Sequence, residues 1–144
     1  MMVLGLVTLV LHGTLAGLFY AFSMSVMPGL RAVDAAAAGT AMRSINRKIL
    51  TPWLFAPFLG APVLAVVAGV LATGAAAPWY FAAAGVNLVG SVVVTAAVNV
   101  PLNNALEAGR ISFDDYAPRW TAFNTARAAA TVASLVLVGV ALTR

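Results

Sequence analysis

Four long runs of apolar residues alternate with shorter segments that contain most of the polar and charged positions. The runs lie at about Val3–Val26, Pro52–Thr73, Trp79–Val100 and Trp120–Leu142. Each is long enough for a helix that crosses a bilayer, which needs about 20 mostly apolar residues. The connection Gly74–Pro78 is short and uncharged, so the second and third helices are expected to form an antiparallel pair. We therefore predict an all-α membrane protein in which the whole chain forms a single four-transmembrane-helix bundle.

The first long connection has a pattern of its own, which predicts a further helix at about 34–50. Asp34 can cap its start, because a carboxylate accepts hydrogen bonds from the first free amides of a helix. Apolar residues then recur at spacings of three and four, which places them on one helix face. They are Ala38, Met42, Ile45 and Ile49. Since the basic residues fall on the other faces, we expect an amphipathic helix at the membrane interface.

The overall composition also indicates a membrane protein. Of 144 residues, 62% are hydrophobic and only 8% are charged, whereas about 25% of the residues of a soluble domain are charged. The net charge is only +4, and the cations flank apolar runs, so the basic composition does not indicate a nucleic-acid partner. The chain has no cysteine, which excludes disulfides, thiolate metal sites and iron–sulfur clusters. The lipid bilayer is therefore the expected environment.

Nearly all charged residues lie in the first and third connections between the runs. The first connection contains Arg31, Asp34, Arg43, Arg47 and Lys48, and the third contains Glu107, Arg110, Asp114, Asp115 and Arg119. Connections rich in Lys and Arg stay on the cytoplasmic side of a membrane. We therefore predict a multi-pass protein of the cell membrane, with both long connections in the cytoplasm and both termini outside. Arg127 is the one charged residue inside an apolar run.

Three of the predicted helices have a line of polar residues along one face, because residues three or four apart share a helix face. The lines are Thr8, His12 and Ser23 in the first helix, Asn87, Ser91, Thr95, Asn99 and Asn103 in the third, and Trp120, Asn124, Arg127, Thr131 and Ser134 in the fourth. In lipid such faces turn inward. The spacing predicts a polar funnel that opens toward the cytoplasm and has its floor near His12, while Asn46 borders the apolar face of the amphipathic helix.

Two of these residues have both a chemical and a structural interpretation. His12 is the candidate base, because an unperturbed imidazole titrates near neutral pH, but it can also be a hydrogen-bonded residue between helices. Arg127 can point into the funnel or extend toward the membrane surface.

No carboxylate lies inside a run, so the acid of a proton-coupled exporter is missing. One histidine without cysteine leaves too few ligands for a first-row metal in one chain, and haem ligation by His12 with a methionine stays open.

Short motifs in a fixed order along nearly the whole chain carry a resemblance to a known family. They are Ala21-Phe22-Ser23 leading into Met27-Pro28-Gly29-Leu30, Asn46 with Trp53, Asn99-Val100-Pro101-Leu102-Asn103-Asn104, Arg119-Trp120, and Asn124-x-x-Arg127. With these motifs the chain resembles the anthrone oxygenase-like family of small four-helix membrane proteins. The motif that begins at Asn99 is the strongest match.

The resemblance implies an oxygenase that converts anthrones to anthraquinones with dioxygen and without a metal or flavin, so no cofactor is expected. An anthrone needs only deprotonation at its central methylene to give a carbanion that reacts with O₂. His12 would then be the base, and hydrogen-bond donors would hold the developing enolate oxygen. The donors would be Arg127, Asn99 and Asn124. The ligand, a small hydrophobic aromatic compound, would lie among Trp53, Phe58, Phe22, Trp120, Asn103 and Asn46.

A non-enzymatic protein is the alternative interpretation: one that binds a lipophilic ligand in the membrane, or a subunit of a larger membrane complex. This hypothesis predicts that the polar lines are closed by their own hydrogen bonds and that no cavity reaches His12. Gly13 and Gly17 lie on a face of small residues in the first helix. Small residues allow close approach of helices in lipid, which favours a homodimer.

Overall fold

The computed structural model describes all 144 residues as helices joined by short turns, without any strand. Four helices are long and apolar enough to cross a membrane: α1 Met2–Arg31, α3 Pro52–Leu71, α4 Gly74–Glu107 and α5 Phe113–Leu142. The shorter helix α2, Ala35–Lys48, lies between α1 and α3 along the chain. The predicted class, an all-α bundle of four membrane-spanning helices, is confirmed.

The long helices are apolar on their outer faces as well as inside the bundle. Their most apolar stretches have a mean hydropathy between 1.8 and 2.3. Only 36 of 144 residues are buried, and large apolar side chains are exposed on every long helix, among them Val10, Val63, Val89 and Val136. A soluble bundle would have polar residues on these faces. The chain is therefore a multi-pass membrane protein whose outer surface is suited to lipid.

The long helices pack in a closed ring in which each contacts two others. α5 packs along α1 and α4, and α3 packs along the same two helices from the opposite side. α1 and α4 are therefore diagonal to each other, as are α3 and α5, and ring neighbours run antiparallel. The polar lines on α1, α4 and α5 meet in the interior, as the spacing predicted. Their fully buried members, each 0% exposed, are Thr8, His12, Asn87, Ser91, Asn124, Thr131 and Ser134.

Near the charged connections, Asp34 caps the start of α2 and Gly109 follows the end of α4. The Asp34 side chain accepts hydrogen bonds from the amides of Ala36 and Ala37, which caps α2 as predicted. α4 ends in front of Gly109, whose φ of 68° is accessible to glycine without strain. The amides of Ala108, Gly109 and Arg110 then bond back to carbonyls of the last helical turn, so three of the four free carbonyls at this end have a partner.

The start of α5 differs from the sequence-based prediction. In the sequence the apolar run starts at Trp120 and Asp114 or Asp115 is a candidate cap, but α5 begins at Phe113 and its cap is Ser112. The Ser112 hydroxyl oxygen accepts a hydrogen bond from the Asp115 amide at 3.1 Å. A serine caps a helix as well as an aspartate does, and the two acids then lie in the first turn, where the helix dipole favours negative charge.

Two prolines near this end of the bundle follow widened helical turns. A π-helical turn at Phe22–Val26 precedes Pro28 in α1, and another at Thr95–Asn99 precedes Pro101 in α4. A proline has no amide to donate and its ring crowds the preceding turn, and the wider turn accommodates this change. For this reason α4 continues through Pro101 to Glu107, whereas the sequence predicted an end near Val100.

Helix α2 lies across the end of the bundle to which the charged connections belong. Ala38 and Met42, on the predicted apolar face, are fully buried against residues of α1, α4 and α5. An exposed ion pair of 2.7 Å between Arg47 and Glu107 joins α2 to the end of α4. We call α2, the adjoining connections 32–34, 49–51 and 108–112, and the helix ends beside them the loop end. Which side of the membrane the loop end faces stays a prediction.

Candidate functional site

A cavity of about 200 Å³ lies inside the bundle next to the loop end. Its lining comes from α1, α2, α3, α4 and α5 and is mostly apolar. The hydrophobic lining residues are Leu18, Phe19, Phe22, Ile49, Leu50, Leu54, Phe55, Phe58, Val100 and Trp120, and the polar ones are Asn46, Thr95, Asn99, Asn103, Asn124 and Arg127. Since an apolar cavity of about 150 Å³ is enough for benzene, this cavity has room for an aromatic ligand.

The guanidinium of Arg127 forms the polar wall of the cavity. Arg127 is only 5% exposed, and it is held from two helices. Its Nη1 donates to the hydroxyl of Thr95 on α4 at 2.9 Å, and its Nη2 donates to Oδ1 of Asn124 on α5 at 2.7 Å. The inward direction of this side chain, one of the two interpretations of the sequence, is the one found in the structure.

No carboxylate accompanies the buried charge of Arg127. The four acids of the chain, Asp34, Glu107, Asp114 and Asp115, all lie at the loop end, and the only ion pair is the exposed one between α2 and α4. Asp115, the nearest acid along α5, is about 18 Å away at ~1.5 Å per residue. Burial of an ion without a partner costs several kcal/mol, so the environment of Arg127 favours a ligand with negative charge.

Aromatic rings offset part of this cost. The Arg127 guanidinium carbon lies 4.3 Å from the ring centre of Phe19 and 5.4 Å from that of Trp120, within the range of a cation–π contact. Phe22 packs against Trp120 with ring centres 5.7 Å apart. Together with Phe58 these rings make the apolar walls beside the cation. A flat ligand can therefore contact aromatic faces and the guanidinium at the same time.

Several buried polar atoms of the cavity-lining residues have no hydrogen-bond partner within the protein. Three are donors: Nε of Arg127, Nε1 of Trp120 and Nδ2 of Asn46. One is an acceptor, Oδ1 of Asn99, whose Nδ2 donates to the carbonyl of Trp120 at 3.3 Å. Buried polar groups in native proteins nearly always have a partner. An excess of donors beside a cation suits a ligand oxygen that carries negative charge.

Asn124, predicted to be a donor to the substrate, is instead fully used by the protein. Its Nδ2 donates to the carbonyl of Phe19 at 2.8 Å and to the hydroxyl of Ser23 at 2.7 Å, and an amide nitrogen has only two hydrogens. Its Oδ1 accepts from Arg127. Asn124 thus connects α1 to the guanidinium and sets the direction of Arg127.

Eight of the ten residues predicted for the site line the cavity. They are Arg127, Asn99, Asn124, Phe58, Phe22, Trp120, Asn103 and Asn46. The other two do not: Trp53 is 88% exposed on the outer face of α3, and His12 is fully buried closer to the opposite end of α1. Contrary to the predicted floor of the funnel, the cavity ends before His12, because the packed side chains of Leu15, Phe19 and Ala128 occupy the level between them.

Phe19 and Tyr116 are among the residues of this region that were not predicted from the sequence. Phe19 provides a ring against Arg127 and a carbonyl for Asn124, and its spacing of three from Phe22 is the signal that places both on one face of α1. Tyr116 is fully buried, stacks on Trp120 and donates to Oδ1 of Asn103 at 2.8 Å. It lies four residues before Trp120, so an extension of the polar line on α5 by one turn would have included it.

The fold and the cavity define a class: a small four-helix membrane protein with an interior cavity. A sequence model described as anthrone oxygenase matches residues 50–137. The chain belongs to this family. The match covers α3, α4 and most of α5, including Asn99 and Arg127, but not α1 with His12. No curated protein and no solved structure matches the chain.

Proposed function

We propose that the protein binds a flat phenolic compound of the anthrone type in the cavity and oxidises it with O₂. The observation that carries the proposal is the buried Arg127, which faces an aromatic cavity without a carboxylate partner. The enolate oxygen of a deprotonated anthrone has the charge that this site lacks. Membership of the anthrone oxygenase family supports the same substrate class.

The reaction follows from the acidity of the substrate. Loss of a proton from the central methylene gives a carbanion whose charge is spread onto the carbonyl oxygen, and the carbon then bonds one atom of O₂. Protonation gives a hydroperoxide, which loses its second C–H proton while the O–O bond breaks. One oxygen atom stays as the new carbonyl of the anthraquinone and the other leaves as water. The carbanion reduces O₂ directly, so the proposed reaction needs no metal or flavin.

The polar residues have separate roles in this proposal. Arg127 and the indole N–H of Trp120 stabilise the enolate oxygen, because fixed donors in a site that excludes water act where charge develops. Asn46 and Asn99 bind the remaining polar groups of the ligand at the loop end of the cavity. Asn124 positions Arg127. Phe22 and Phe58 hold the ring system.

The cavity lining contains no histidine, aspartate or glutamate, so no side chain that touches the ligand is a strong proton acceptor at neutral pH. This observation favours a second candidate function, which is non-enzymatic binding of a lipophilic anion. The two candidates share the ligand site and differ in chemistry. Binding of a phenolic ligand without any oxygen consumption would support the second.

The test is oxygen uptake by the purified protein in detergent or lipid nanodiscs, with a panel of anthrones and hydroquinones, corrected for the spontaneous rate. With ¹⁸O₂ the proposal requires one labelled atom in the product carbonyl. Arg127→Gln removes the cation but keeps hydrogen-bonding groups, and is expected to slow uptake at least tenfold. If no substrate exceeds the spontaneous rate, the enzymatic proposal is wrong.

The membrane context of the site completes the proposal. We place the loop end in the cytoplasm, because it contains six of the eight Lys and Arg residues of the chain. The ligand would then reach the cavity from the cytoplasmic half of the bilayer.

Gly17 is exposed with open space around it, whereas Gly13 packs on Leu135 within the bundle, so a homodimer would use the face that contains Gly17.

A further inference from the structure

A second group of polar side chains lies in the centre of the bundle, outside the cavity. It consists of His12 on α1 with Asn87 and Ser91 on α4, which we call the central polar site. All three residues are 0% exposed. Nε2 of His12, both amide atoms of Asn87 and the hydroxyl of Ser91 have no partner within the protein. No other part of the spans has so many unpaired polar atoms that do not touch the cavity.

The hydrogen bond at the other ring nitrogen fixes what His12 presents to this site. Nδ1 of His12 lies 2.8 Å from the carbonyl oxygen of Thr8. Because a carbonyl only accepts, Nδ1 of the neutral ring must carry the hydrogen. Nε2 therefore has a free lone pair and needs a donor.

The neighbouring hydroxyls have hydrogen-bond partners in their own helices, whereas the unpaired atoms of the central polar site have none. Thr8, Thr131 and Ser134 each donate to a backbone carbonyl of their own helix, the usual solution for a hydroxyl in a membrane helix. Ser91 lies in the π-helical segment Leu88–Val93, where the carbonyls of the preceding turn are displaced from the α-helical arrangement. Its hydroxyl, like the amide of Asn87, requires a partner from outside the helix.

The packing of α1 on α5 gives the level of His12. Gly13 packs against the side chain of Leu135, and the two helices run antiparallel. His12 therefore lies about opposite Val136 on α5, within ~3 Å of the level of Ser134 at ~1.5 Å per residue.

The packing of α4 on α5 gives the level of Asn87. Gly90 packs directly against Ala130, and these helices also run antiparallel. Asn87, three residues before Gly90, consequently lies about opposite Ala133, next to Ser134. His12 and Asn87 thus lie on diagonal helices within about one helical turn of the same height, ~4.5 Å apart along the axis at ~1.5 Å per residue, and both side chains are buried in the bundle.

A column of polar side chains joins this level to the cavity. Ser91 and Thr131 lie about one turn closer to the loop end, ~6 Å from Asn87 and ~4.5 Å from Ser134 respectively at ~1.5 Å per residue. Thr95 follows after another turn and accepts the hydrogen bond from Arg127. Thr95 itself lines the cavity. The apolar packing that closes the cavity belongs to α1 and α5, and the polar face of α4 passes beside it.

We propose that the central polar site binds water, which bridges Nε2 of His12 to Asn87 and Ser91 and relays protons between His12 and the cavity. A buried water makes two to four hydrogen bonds, and the three side chains offer both donors and acceptors for them. Water binding does not depend on the proposed oxygenase function, whereas the proton relay rests on it. In the relay, a water beside Thr95 takes the methylene proton and passes one along Ser91 to His12. His12 later returns it to the oxygen that leaves as water.

The single histidine of the chain permits a direct test of water binding. Protein labelled with ¹⁵N-histidine and reconstituted in bilayers gives one imidazole in solid-state NMR spectra. The expected result is a protonated Nδ1, a hydrogen-bonded Nε2 without a proton, and magnetisation transfer from water to the ring. Asn87→Leu and Ser91→Ala should each weaken that transfer. Thr14→Val, which removes an exposed hydroxyl of α1 that bonds its own helix, should leave it unchanged.

Absence of transfer from water, or a direct bond between Nε2 and the Asn87 amide, would overturn the water site.

The relay is tested by His12→Gln, which keeps polarity but cannot accept the proton. kcat for oxygen uptake should fall at least tenfold with ligand Kd unchanged, and the loss should shrink for anthrones with a more acidic methylene. An unchanged kcat would overturn the relay alone. If the wild-type protein consumes no oxygen, the proposed function fails and the NMR result still decides the water site.

Discussion

Asn124 and Arg127, one turn apart on α5, share a hydrogen bond of 2.7 Å between Oδ1 and Nη2. The other end of the Asn124 amide is held by the Phe19 carbonyl and the Ser23 hydroxyl of α1. The direction of the buried cation is therefore set by the contact between the first and last membrane helices. A ligand at the cavity meets a guanidinium that is already oriented, so little side-chain entropy is lost on binding.

Replacement of Asn124 by leucine removes this connection. We expect Asn124→Leu to lower the free energy of unfolding by about 2–3 kcal/mol, because buried groups on two helices lose their partners. Chemical denaturation in mixed micelles measures this difference. Asn104→Leu, at an exposed position without a side-chain hydrogen bond, should change stability by less than about 0.5 kcal/mol. Equal effects of the two variants would contradict the proposed role of Asn124.

The contact of Gly90 with Ala130 holds α4 close to α5. A β-carbon at Gly90 would overlap the Ala130 side chain, so Gly90→Ala should destabilise the bundle by about 1–3 kcal/mol. Gly85, on the same helix, has open space around it. Gly85→Ala should therefore be neutral or stabilising by up to about 1 kcal/mol, as expected for alanine in a helix. Thermal unfolding of both variants in the same detergent makes the comparison, and a neutral Gly90→Ala would contradict this packing.

The sequence was sufficient for the helices and for the inward faces, but not for the extent of the cavity. Hydropathy and the spacing of Asn87, Ser91 and Asn99 predict which faces are buried, because both follow from helix geometry. The separation of His12 from the cavity depends on how Leu15 and Ala128 fill the space between helices. That packing is a tertiary property, and no spacing along one helix encodes it.

The same limit explains the errors at Pro101 and Trp120. Proline commonly ends a helix, so a sequence pattern alone predicts an end near Val100. The widened turn that carries α4 past Pro101 depends on the backbone of Thr95–Asn99. Likewise, the polar start of α5 was not counted as part of a span, although Tyr116 there is fully buried beneath α2.

Two aromatic residues of α3 lie in different surroundings. Phe58 lines the cavity, whereas Trp53 is exposed on the same helix. Phe58→Trp adds volume to a cavity of about 200 Å³ and should weaken binding of a phenolic ligand at least tenfold. Trp53→Ala should leave the affinity within twofold. Fluorescence or calorimetric titration in nanodiscs measures both, and loss of binding in Trp53→Ala would place the ligand outside the cavity.

The charge of Arg127 should distinguish anionic from neutral ligands. A hydrogen bond to a charged group contributes about 1.5–3 kcal/mol, so Arg127→Leu should weaken binding of an ionised phenol by about 10- to 100-fold. The affinity for the corresponding methyl ether should change little. Arg119→Leu, on the exposed face at the start of α5, is the matched control and should leave both affinities unchanged. An equal loss for the two ligands would contradict a role of the charge.

The central claim is that the cavity stabilises a deprotonated substrate at Arg127. The most direct measurement is the absorption spectrum of an anthrone bound to the protein without oxygen, where the enolate cannot be consumed. The account predicts an enolate band in the wild-type protein at a pH where the free anthrone is neutral, and its loss in Arg127→Gln. A bound anthrone that stays in its neutral form, or an enolate band of equal strength in both proteins, would contradict the account.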